Sequence, residues 1–385
     1  MMPGWPPWAC RPDYSGAALA GVWPAAARAV GFDLAAASDS GTMPQVTPGV
    51  DGPVGGAKGV VVLLADGLGS LNLTARRGHA PTLAGFERQD WMAGFPSTTV
   101  TSLGLLGTGR PPGLTALAGY SLRDPATNKR SSLIHWDTPT APEAWQPWPT
   151  FFDGLAGGGI PVQQIGENRF ADSAMSRCSL RGGAFHGAKR QRDRVPLALE
   201  LAQSGAKLIY LYWGDLDFLG HKSGWTGPAW AKALELLDLA VADLLRGLPA
   251  GWEVWLIADH GVIDVTQRFD VAKEPWLSQG VDVVAGEPRA LHLYTADPSA
   301  VAERWSDYLG EQAWVLTKDQ AIDLGLFGQV DQRVMPYLGD VLVAMAGTAI
   351  VEDSQWQTAQ ALAMRGHHGS LTEQEMTVPF LRATV

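Results

Sequence analysis

Four segments of the chain repeat one pattern, in which a short apolar run ends in polar or charged residues. The runs cover residues 59–65, 91–96, 206–213 and 252–258. A short continuous apolar run with many β-branched residues, as in residues 59–65, is typical of a strand that is buried on both faces of a parallel sheet. We therefore predict a strand in each of the four runs.

An amphipathic segment separates the last two runs. Residues 228–248 carry apolar positions at helical spacing, with proline near the start and glycine near the end, and this predicts a helix. Strands that alternate with helices indicate an α/β fold, here a doubly wound, mainly parallel sheet with helices on both faces. Ligands of such sheets bind beyond the carboxyl ends of the strands. We therefore expect the polar residues after the four runs to converge there.

The N-terminal flank departs from this pattern. Residues 1–57 are rich in proline, glycine and alanine, and we interpret them as an N-terminal extension that packs on the core or stays partly loose. Within it, residues 16–22 and 24–30 are predicted to be helical. Residues 39–57 are predicted to form a connector.

The pattern changes again after residue 270. Strand-like and helix-like segments follow one another there, over residues 281–294, 300–309, 318–326 and 340–351. We predict a small α+β cap insert over residues 275–350. The α/β core would then comprise residues 58–274 and 351–385.

Composition narrows the possible functions. The chain of 385 residues is 46% hydrophobic with a formal net charge of −10, so it can bury enough apolar surface to fold. Binding to a nucleic-acid backbone is not expected, because that requires clustered Lys and Arg. The basic run over residues 189–194 is short and interrupted. We interpret it as solvated, with guidance of an anionic substrate as the alternative.

The sequence also bears on location. No apolar run approaches the length of a membrane-spanning helix, and the first residues lack the pattern of a signal peptide. Two cysteines are too few for a disulfide framework. We therefore expect a cytoplasmic protein without a membrane partner.

Carboxylates and imidazoles follow the predicted strands. Asp66 follows the first run, and Asp217 and His221 follow the third at a spacing that places both on one face of a helical turn. Asp259 and His260 are adjacent after the fourth run. Neighbouring residues of a strand point in opposite directions, so these two side chains can reach one site only if the backbone turns after them.

A Gly-flanked loop near the C-terminus offers two more imidazoles, His367 and His368. Oxygen and nitrogen ligands without a thiolate suit zinc, manganese or iron, and zinc is the expected ion, with manganese as the alternative. Two ions about 3.5–4 Å apart clamp the attacking and leaving oxygens of an in-line displacement at phosphorus.

Several hydroxyls lie where the second predicted strand enters a helix, in residues 97–102. Hydroxyls at a helix start usually cap the helix. One of them beside a metal ion would be a nucleophile, and the helix N-terminus would favour the incoming phosphate. The pattern leaves open which hydroxyl this is.

The motifs D-G, P-S-T-T, D-x-x-x-H, D-H-G and H-G follow one another in this order from residue 58 to the C-terminus. This order resembles the alkaline phosphatase superfamily, most closely its nucleotide pyrophosphatase and type I phosphodiesterase branch. The resemblance implies that Thr99 is the nucleophile and that two divalent metal ions are bound. It assigns two ligand sets: Asp217, His221 and His368 for one ion, and Asp66, Asp259, His260 and Thr99 for the other. The spacing of Asp215 to His221 does not match the motif, and we interpret Asp215 as a structural residue or as a support behind the ligands. His367 is the less favoured ligand of its pair.

The chain departs from this branch on the substrate side. The residue after the nucleophile is often aromatic there, whereas this chain has Val100. Residues 117–120 lack the asparagine that usually holds phosphoryl oxygens, and Tyr120 stands in its place. Val100 and Tyr120 are therefore the candidate substrate contacts, and nucleotide specificity stays open.

The expected function is a metal-dependent phosphodiesterase or nucleotide pyrophosphatase that acts through a covalent phosphothreonine on Thr99. Its partner would be a small-molecule phosphate ester or nucleotide. A phosphomonoesterase or phosphonate hydrolase of the same superfamily is the alternative. A non-catalytic metal-dependent binding protein is disfavoured, because such proteins usually lose a ligand or the nucleophile. The sequence leaves the oligomeric state open.

Overall fold

The computed structural model describes residues 4–14, 18–34, 56–355 and 357–385. The strands in these ranges are β1 Gly59–Ala65, β2 Glu87–Met92, β3 Ser121–Asp124, β4 Lys129–Ser132, β5 Val162–Gly166, β6 Ala184–Gly187, β7 Leu208–Trp213, β8 Trp252–Ile257, β9 Ile263–Asp264, β10 Gln267–Asp270, β11 Val283–Glu287, β12 Ala290–Tyr294, β13 Ala313–Thr317, β14 Val341–Met345, β15 Ala349–Glu352, β16 Gly366–His367 and β17 Thr377–Thr384. The helices are α1 Val22–Ala29, α2 Ser70–Ala75, α3 Thr99–Thr108, α4 Pro112–Thr115, α5 Pro142–Trp145, α6 Phe151–Gly157, α7 Ala174–Ser179, α8 Arg194–Gln203, α9 Asp215–Ser223, α10 Pro228–Gly247, α11 Pro298–Leu309, α12 Lys318–Asp323, α13 Ala359–Leu362 and α14 Glu373–Met376.

A seven-stranded sheet dominates the described part of the chain, in the order β2-β17-β8-β1-β7-β5-β6. Strand β1 is parallel to β7 on one side and to β8 on the other, and every residue of β1 is buried. Strand β17 runs antiparallel to both of its neighbours. The predicted mainly parallel α/β fold is confirmed.

The second predicted strand lies earlier than expected. Strand β2 ends at Met92 and not at residue 96, and residues 93–98 form the loop that leads into α3. Residues 87–90 are polar and exposed because β2 lies at the edge of the sheet. A search for apolar runs therefore misses most of this strand. Pro96, the last residue of the predicted strand, has no amide hydrogen to donate to a neighbouring strand.

A second, antiparallel sheet has the order β11-β12-β14-β13. Helix α11 packs beside this sheet, and the buried ring of Trp305 lies in a hydrophobic cluster separate from the main core. Residues 281–294, expected as one or two strands, form the hairpin of β11 and β12. We refer to this part as the cap sheet.

Described parts of the N-terminal extension pack on the core. Helix α1 covers the second predicted helical piece, and its Trp23 meets Phe152 edge to face with ring centroids 4.7 Å apart. The first predicted piece is described only from residue 18, where a short 3-10 turn, Leu19–Gly21, precedes α1. The predicted connector over residues 39–57 lies outside the described residues except at 56 and 57.

In the ranges that the structure describes, no helix has the combined length and apolar character needed to cross a bilayer.

Candidate active site

Three neighbouring strands of the main sheet end at the same edge. Ala65 of β1 lies opposite Trp213 of β7, and Leu64 lies opposite Ile257 of β8. Asp66 therefore follows β1, helix α9 follows β7, and Asp259 follows β8, all at one edge. This convergence is what the positions of the polar residues after the apolar runs predict.

One acid–imidazole group joins α9 to the loop that carries His368. Asp217 Oδ1 is 3.3 Å from His221 Nε2 and 3.6 Å from His368 Nε2, and the two Nε2 atoms are 3.2 Å apart. His221 Nδ1 faces the Gly366 carbonyl at 2.8 Å, and His368 Nδ1 faces the Ser97 carbonyl at 2.9 Å. These backbone contacts hold each ring with Nε2 turned towards Asp217, as the outer contacts of metal-binding histidines do.

A second group surrounds Thr99. Its Oγ1 is 3.2 Å from His260 Nε2 and 3.5 Å from Asp66 Oδ1. His260 Nε2 is also 3.5 Å from Asp66 Oδ1 and 3.4 Å from Asp259 Oδ2. The structure thus brings together the residues that the resemblance assigns to one ion, and it places Asp217 within 4.8 Å of the ligand atoms of Asp66 and His260.

The turn after β8 explains how the adjacent Asp259 and His260 reach one site. Asp259 Oδ1 accepts hydrogen bonds from the Gly67 amide at 3.0 Å and from the His260 amide at 3.1 Å. A Cβ at Gly261 would lie 1.9 Å from the Gln374 carbonyl oxygen. Glycine is therefore required at position 261 because another backbone passes close by.

The charges of the site fit divalent cations. Asp66 and Asp259 are buried, and burial, followed by the charges of Asp259 and Asp217, raises the pKa of Asp66 well above its usual range. Among the described residues, Asp217 Oδ1 and Asp259 Oδ2 are buried without a hydrogen-bond partner. Buried carboxylates this close together are costly unless a cation compensates them. The oxygen and nitrogen donors present suit zinc or manganese.

The His368 imidazole is held in the form that binds metal. The rings of His260 and His368 stack with centroids 3.6 Å apart. Burial, together with the neighbouring His260 and His221, lowers the pKa of His368 well below its usual range. A neutral ring offers a free nitrogen to a cation.

Local contacts distinguish Thr99 from the hydroxyls beside it. Thr98 is the N-cap of α3 and accepts from the Thr101 amide. Ser97 Oγ donates to the Ser370 carbonyl at 2.7 Å, and Ser102 Oγ donates to the Asp259 carbonyl at 2.6 Å. The Thr99 hydroxyl, in contrast, lies beside a carboxylate and an imidazole at the start of α3. The sequence pattern alone leaves open which of these hydroxyls faces the site.

One contributor to the site was missed in the sequence. Tyr212 is part of the apolar run of β7, and its hydroxyl donates to Asp66 Oδ2 at 2.5 Å. Because aromatic residues count as apolar in the pattern, only the run's position next to the site could have drawn attention to it. Two residues stand outside the assigned ligand sets. Asp215 lies near the charge of Arg194. His367 is buried in β16, and its ring meets that of His221 edge to face with centroids 5.7 Å apart.

The two candidate substrate contacts differ in exposure. Val100 is 1% exposed and belongs to the main core, so it presents little surface to a ligand. Tyr120 is 40% exposed. Its amide donates to Glu287 Oε2 at 2.7 Å, which places the end of β11 from the cap sheet beside this residue.

Comparison with known proteins decides the family. The model of the type I phosphodiesterase / nucleotide pyrophosphatase family matches residues 60–371. The chain belongs to this family. The family and the structural neighbours are hydrolases that act on phosphodiester or pyrophosphate bonds.

Solved structures share the fold of this family member. Murine ectonucleotide pyrophosphatase / phosphodiesterase 5, in complex with AMP, superposes with a TM-score of 0.67 at 14% identity, over 84% of this chain and 87% of that one. Phosphonoacetate hydrolase from Sinorhizobium meliloti 1021, in complex with phosphonoformate, gives a TM-score of 0.65 at 16% identity, over 85% and 90% of the two chains.

A sequence relative matches a smaller part of the chain. A phosphopentomutase of Rhizobium meliloti (strain 1021) is 34% identical over 131 residues, which cover 33% of this chain and 30% of that protein. The match therefore spans about a third of the length of the curated relative.

Proposed function

We propose that this chain is a metal-dependent phosphodiesterase or nucleotide pyrophosphatase whose nucleophile is Thr99. The observation that carries the proposal is the position of the Thr99 hydroxyl. It lies 3.2 Å from His260 Nε2 and 3.5 Å from Asp66 Oδ1, at the first residue of α3. Membership of the phosphodiesterase family supports the reaction class.

The two side-chain groups would each hold one cation. Asp217, His221 and His368 would bind the first, and Asp66, Asp259, His260 and Thr99 would bind the second. We propose zinc for both, with manganese as the alternative. When bound, the two cations would favour ionisation of the Thr99 hydroxyl and neutralise charge on the leaving oxygen.

The protein's own groups support the displacement. Thr99 Oγ1 would attack phosphorus while the bond from phosphorus to the leaving oxygen breaks, which gives a phosphothreonine ester. A water molecule would then attack the same phosphorus and release Thr99. The N-terminus of α3 would favour the phosphoryl oxygens, because the amides of the first helical turn point out of the helix there.

The substrate class rests on fewer observations. Exposed Tyr120 is the candidate contact for the remainder of the ester, a small-molecule phosphodiester or nucleotide. Phosphomonoesters and phosphonates are the alternatives, because the same ligand set can serve all three classes and only the pocket decides.

The proposal is tested by hydrolysis of nucleotide diesters, dinucleotides, sugar nucleotides, monoesters and phosphonoacetate, with and without a chelator. We expect clear preference for diesters or pyrophosphates, loss of activity with the chelator, and recovery when zinc or manganese is restored. A preference for monoesters or phosphonoacetate would replace the proposed substrate class. Turnover unaffected by removal of all bound metal would refute metal dependence.

The cytoplasmic location expected from the sequence stays a prediction, which fractionation of the producing cells would test.

A further inference from the structure

The described segment 4–14 crosses the molecule from the cap sheet to the loops of the candidate site. We refer to it as the N-terminal strap. At one end the ring of Trp5 packs against Trp314 of β13, with centroids 5.0 Å apart. At the other end Tyr14 reaches the loop that precedes α3. The strap therefore contacts parts of the chain that are distant in sequence, at Phe95 and at Trp314.

The middle of the strap pairs with the loop that carries His368. Ala9 forms a β-bridge with Thr372, and the Cys10 amide donates to the Leu371 carbonyl at 2.8 Å. These contacts lie three and four residues beyond His368. The strap thus holds the segment into which the His368 loop runs.

Tyr14 joins two backbones through its hydroxyl. The hydroxyl accepts from the Phe95 amide at 3.1 Å and donates to the Leu326 carbonyl at 2.6 Å. Its ring lies close to Gly94 and Gly328, where an added Cβ would come within 3.6 Å and 3.1 Å of the Tyr14 ring atoms. The ring thus has little room to move away from these contacts.

The Phe95 amide depends on this contact. The loop over residues 93–98 has left the ladder of β2, and its described backbone–backbone hydrogen bonds to distant segments run from the Ala93 amide to Met376 and from the Ser97 amide to Gly369. Phe95 itself is 1% exposed. A buried amide without a partner is rare in folded proteins because it has lost its water. Tyr14 supplies the partner midway along the loop, four residues before Thr99.

We propose that Tyr14 is a positioning residue for phosphoryl transfer. Its hydroxyl fixes the loop over residues 93–98 and so keeps Thr99 in register with Asp66 and His260. Leu326 lies in the segment that joins β13 and β14 of the cap sheet, so the same hydroxyl also couples this segment to the nucleophile loop. This inference rests on the proposed role of Thr99 as nucleophile.

The test compares Tyr14→Phe with Tyr294→Phe. Tyr294 is a matched control because its hydroxyl likewise accepts from a backbone amide, that of Arg123 at 3.0 Å, and donates to a backbone carbonyl, that of Tyr337 at 2.5 Å. Both substitutions keep the ring and remove one hydroxyl that joins two segments. They differ in that the Tyr294 hydroxyl does not contact the nucleophile loop.

Four quantities are measured for the wild type and both variants: kcat and KM on a phosphodiester, bound metal, melting temperature, and amide hydrogen exchange of residues 93–99. We expect Tyr14→Phe to lower kcat by roughly 10- to 100-fold, because small displacements of a reacting group have effects of that size. KM should stay within about twofold and bound metal should be unchanged, since the ligands are intact. Exchange in residues 93–99 should rise only in Tyr14→Phe.

The inference is overturned if Tyr14→Phe loses no more kcat than Tyr294→Phe, or if exchange of residues 93–99 is the same in both. A parallel loss of metal would also overturn it, because the effect would then lie in the ligands. If the wild type hydrolyses no phosphate ester, the proposed function fails separately. Hydrogen exchange then still decides whether Tyr14 holds the loop.

Discussion

At the scale of single residues, Asp217 lies between the two groups of candidate ligands. Its Oδ1 faces His221 and His368, and the side chain also lies within 4.8 Å of the ligand atoms of Asp66 and His260. The sequence resemblance assigns Asp217 to one ion. The geometry indicates that the charge of Asp217 acts on both proposed ion positions, because Coulomb interactions at such distances in a buried site are strong.

We therefore predict that Asp217→Asn loses bound metal and lowers kcat/KM by roughly 100-fold or more, the size of effect seen when groups that support a metal site are removed. Asp215→Asn is the matched control on the same helix, because the charges that act on Asp215 are those of Arg194 and Glu167. Metal analysis and diester hydrolysis of both variants provide the check. Equal metal content and activity in the two variants would contradict the assignment of Asp217.

At this scale the sequence pattern supplied the candidate carboxylates and imidazoles, because such side chains at strand ends are visible in it, and the resemblance chose the proposed ligands among them. The pattern could not predict the contribution of Tyr212, since its hydroxyl is hidden in an apolar run and acts only through Asp66. The choice of Thr99 among neighbouring hydroxyls also needed the resemblance. In the structure, the hydroxyls of Ser97 and Ser102 donate to backbone carbonyls, and Thr98 caps α3.

At the scale of elements, the hairpin of β11 and β12 is tied to α14 by a buried ion pair. Arg289 Nε and Nη2 donate to Glu375 Oε1 and Oε2 at 2.9 and 2.6 Å, and both side chains are 0% exposed. Glu375 Oε1 also accepts from the Ser370 amide at 3.0 Å. The pair therefore links the cap sheet to the segment that follows His368.

We predict that Arg289→Met lowers the free energy of unfolding by about 3–5 kcal/mol, because it leaves the Glu375 carboxylate buried without its partner. Arg177→Met is the matched control. It breaks an equally bidentate pair with Glu143, at 2.8 and 2.7 Å, whose side chains are 41% and 45% exposed. Urea denaturation should show little change for the control. A similarly small decrease in the free energy of unfolding of both variants would show that burial does not make the Arg289–Glu375 pair more important for stability.

Element positions were predictable where apolar runs are continuous. The strands β1, β7 and β8 and the helix α10 lie where the sequence places them, because they are buried on one or both faces. Strand β2 was misplaced, because an exposed edge strand needs no apolar run. The strap was not predicted either, since its pairing with Leu371 and Phe95 depends on contacts between distant segments.

At the scale of the whole molecule, stability should depend on acidity through His292. The side chain is 0% exposed in β12, and its Nδ1 accepts from the Gly339 amide at 3.0 Å. Burial, with a smaller effect of Lys318, lowers the pKa of the imidazole from 6.5 to about 3. Between these two pH values, the unfolded chain therefore binds a proton at His292, and the folded chain does not.

The direction of the change in the free energy of unfolding with pH follows from proton binding. Below the ordinary histidine pKa of 6.5, the unfolded state binds more protons, so the free energy of unfolding falls as pH falls, by up to about 1.4 kcal/mol per pH unit for this group. We predict that His292→Asn, whose amide oxygen can still accept from Gly339, flattens the fall between pH 6 and pH 4 relative to the wild type. Urea denaturation across that range measures it. Identical slopes would show that His292 is not kept neutral by the fold.

The role of Thr99 as nucleophile is tested by the turnover of Thr99→Ala, measured together with its bound metal. Thr99→Ser, which keeps the hydroxyl, is the matched variant. We predict that Thr99→Ala retains its metal and loses phosphodiester hydrolysis, whereas Thr99→Ser retains part of the activity. Near-normal hydrolysis by metal-loaded Thr99→Ala would show that Thr99 is not the nucleophile, because the reaction would then not pass through the Thr99 oxygen.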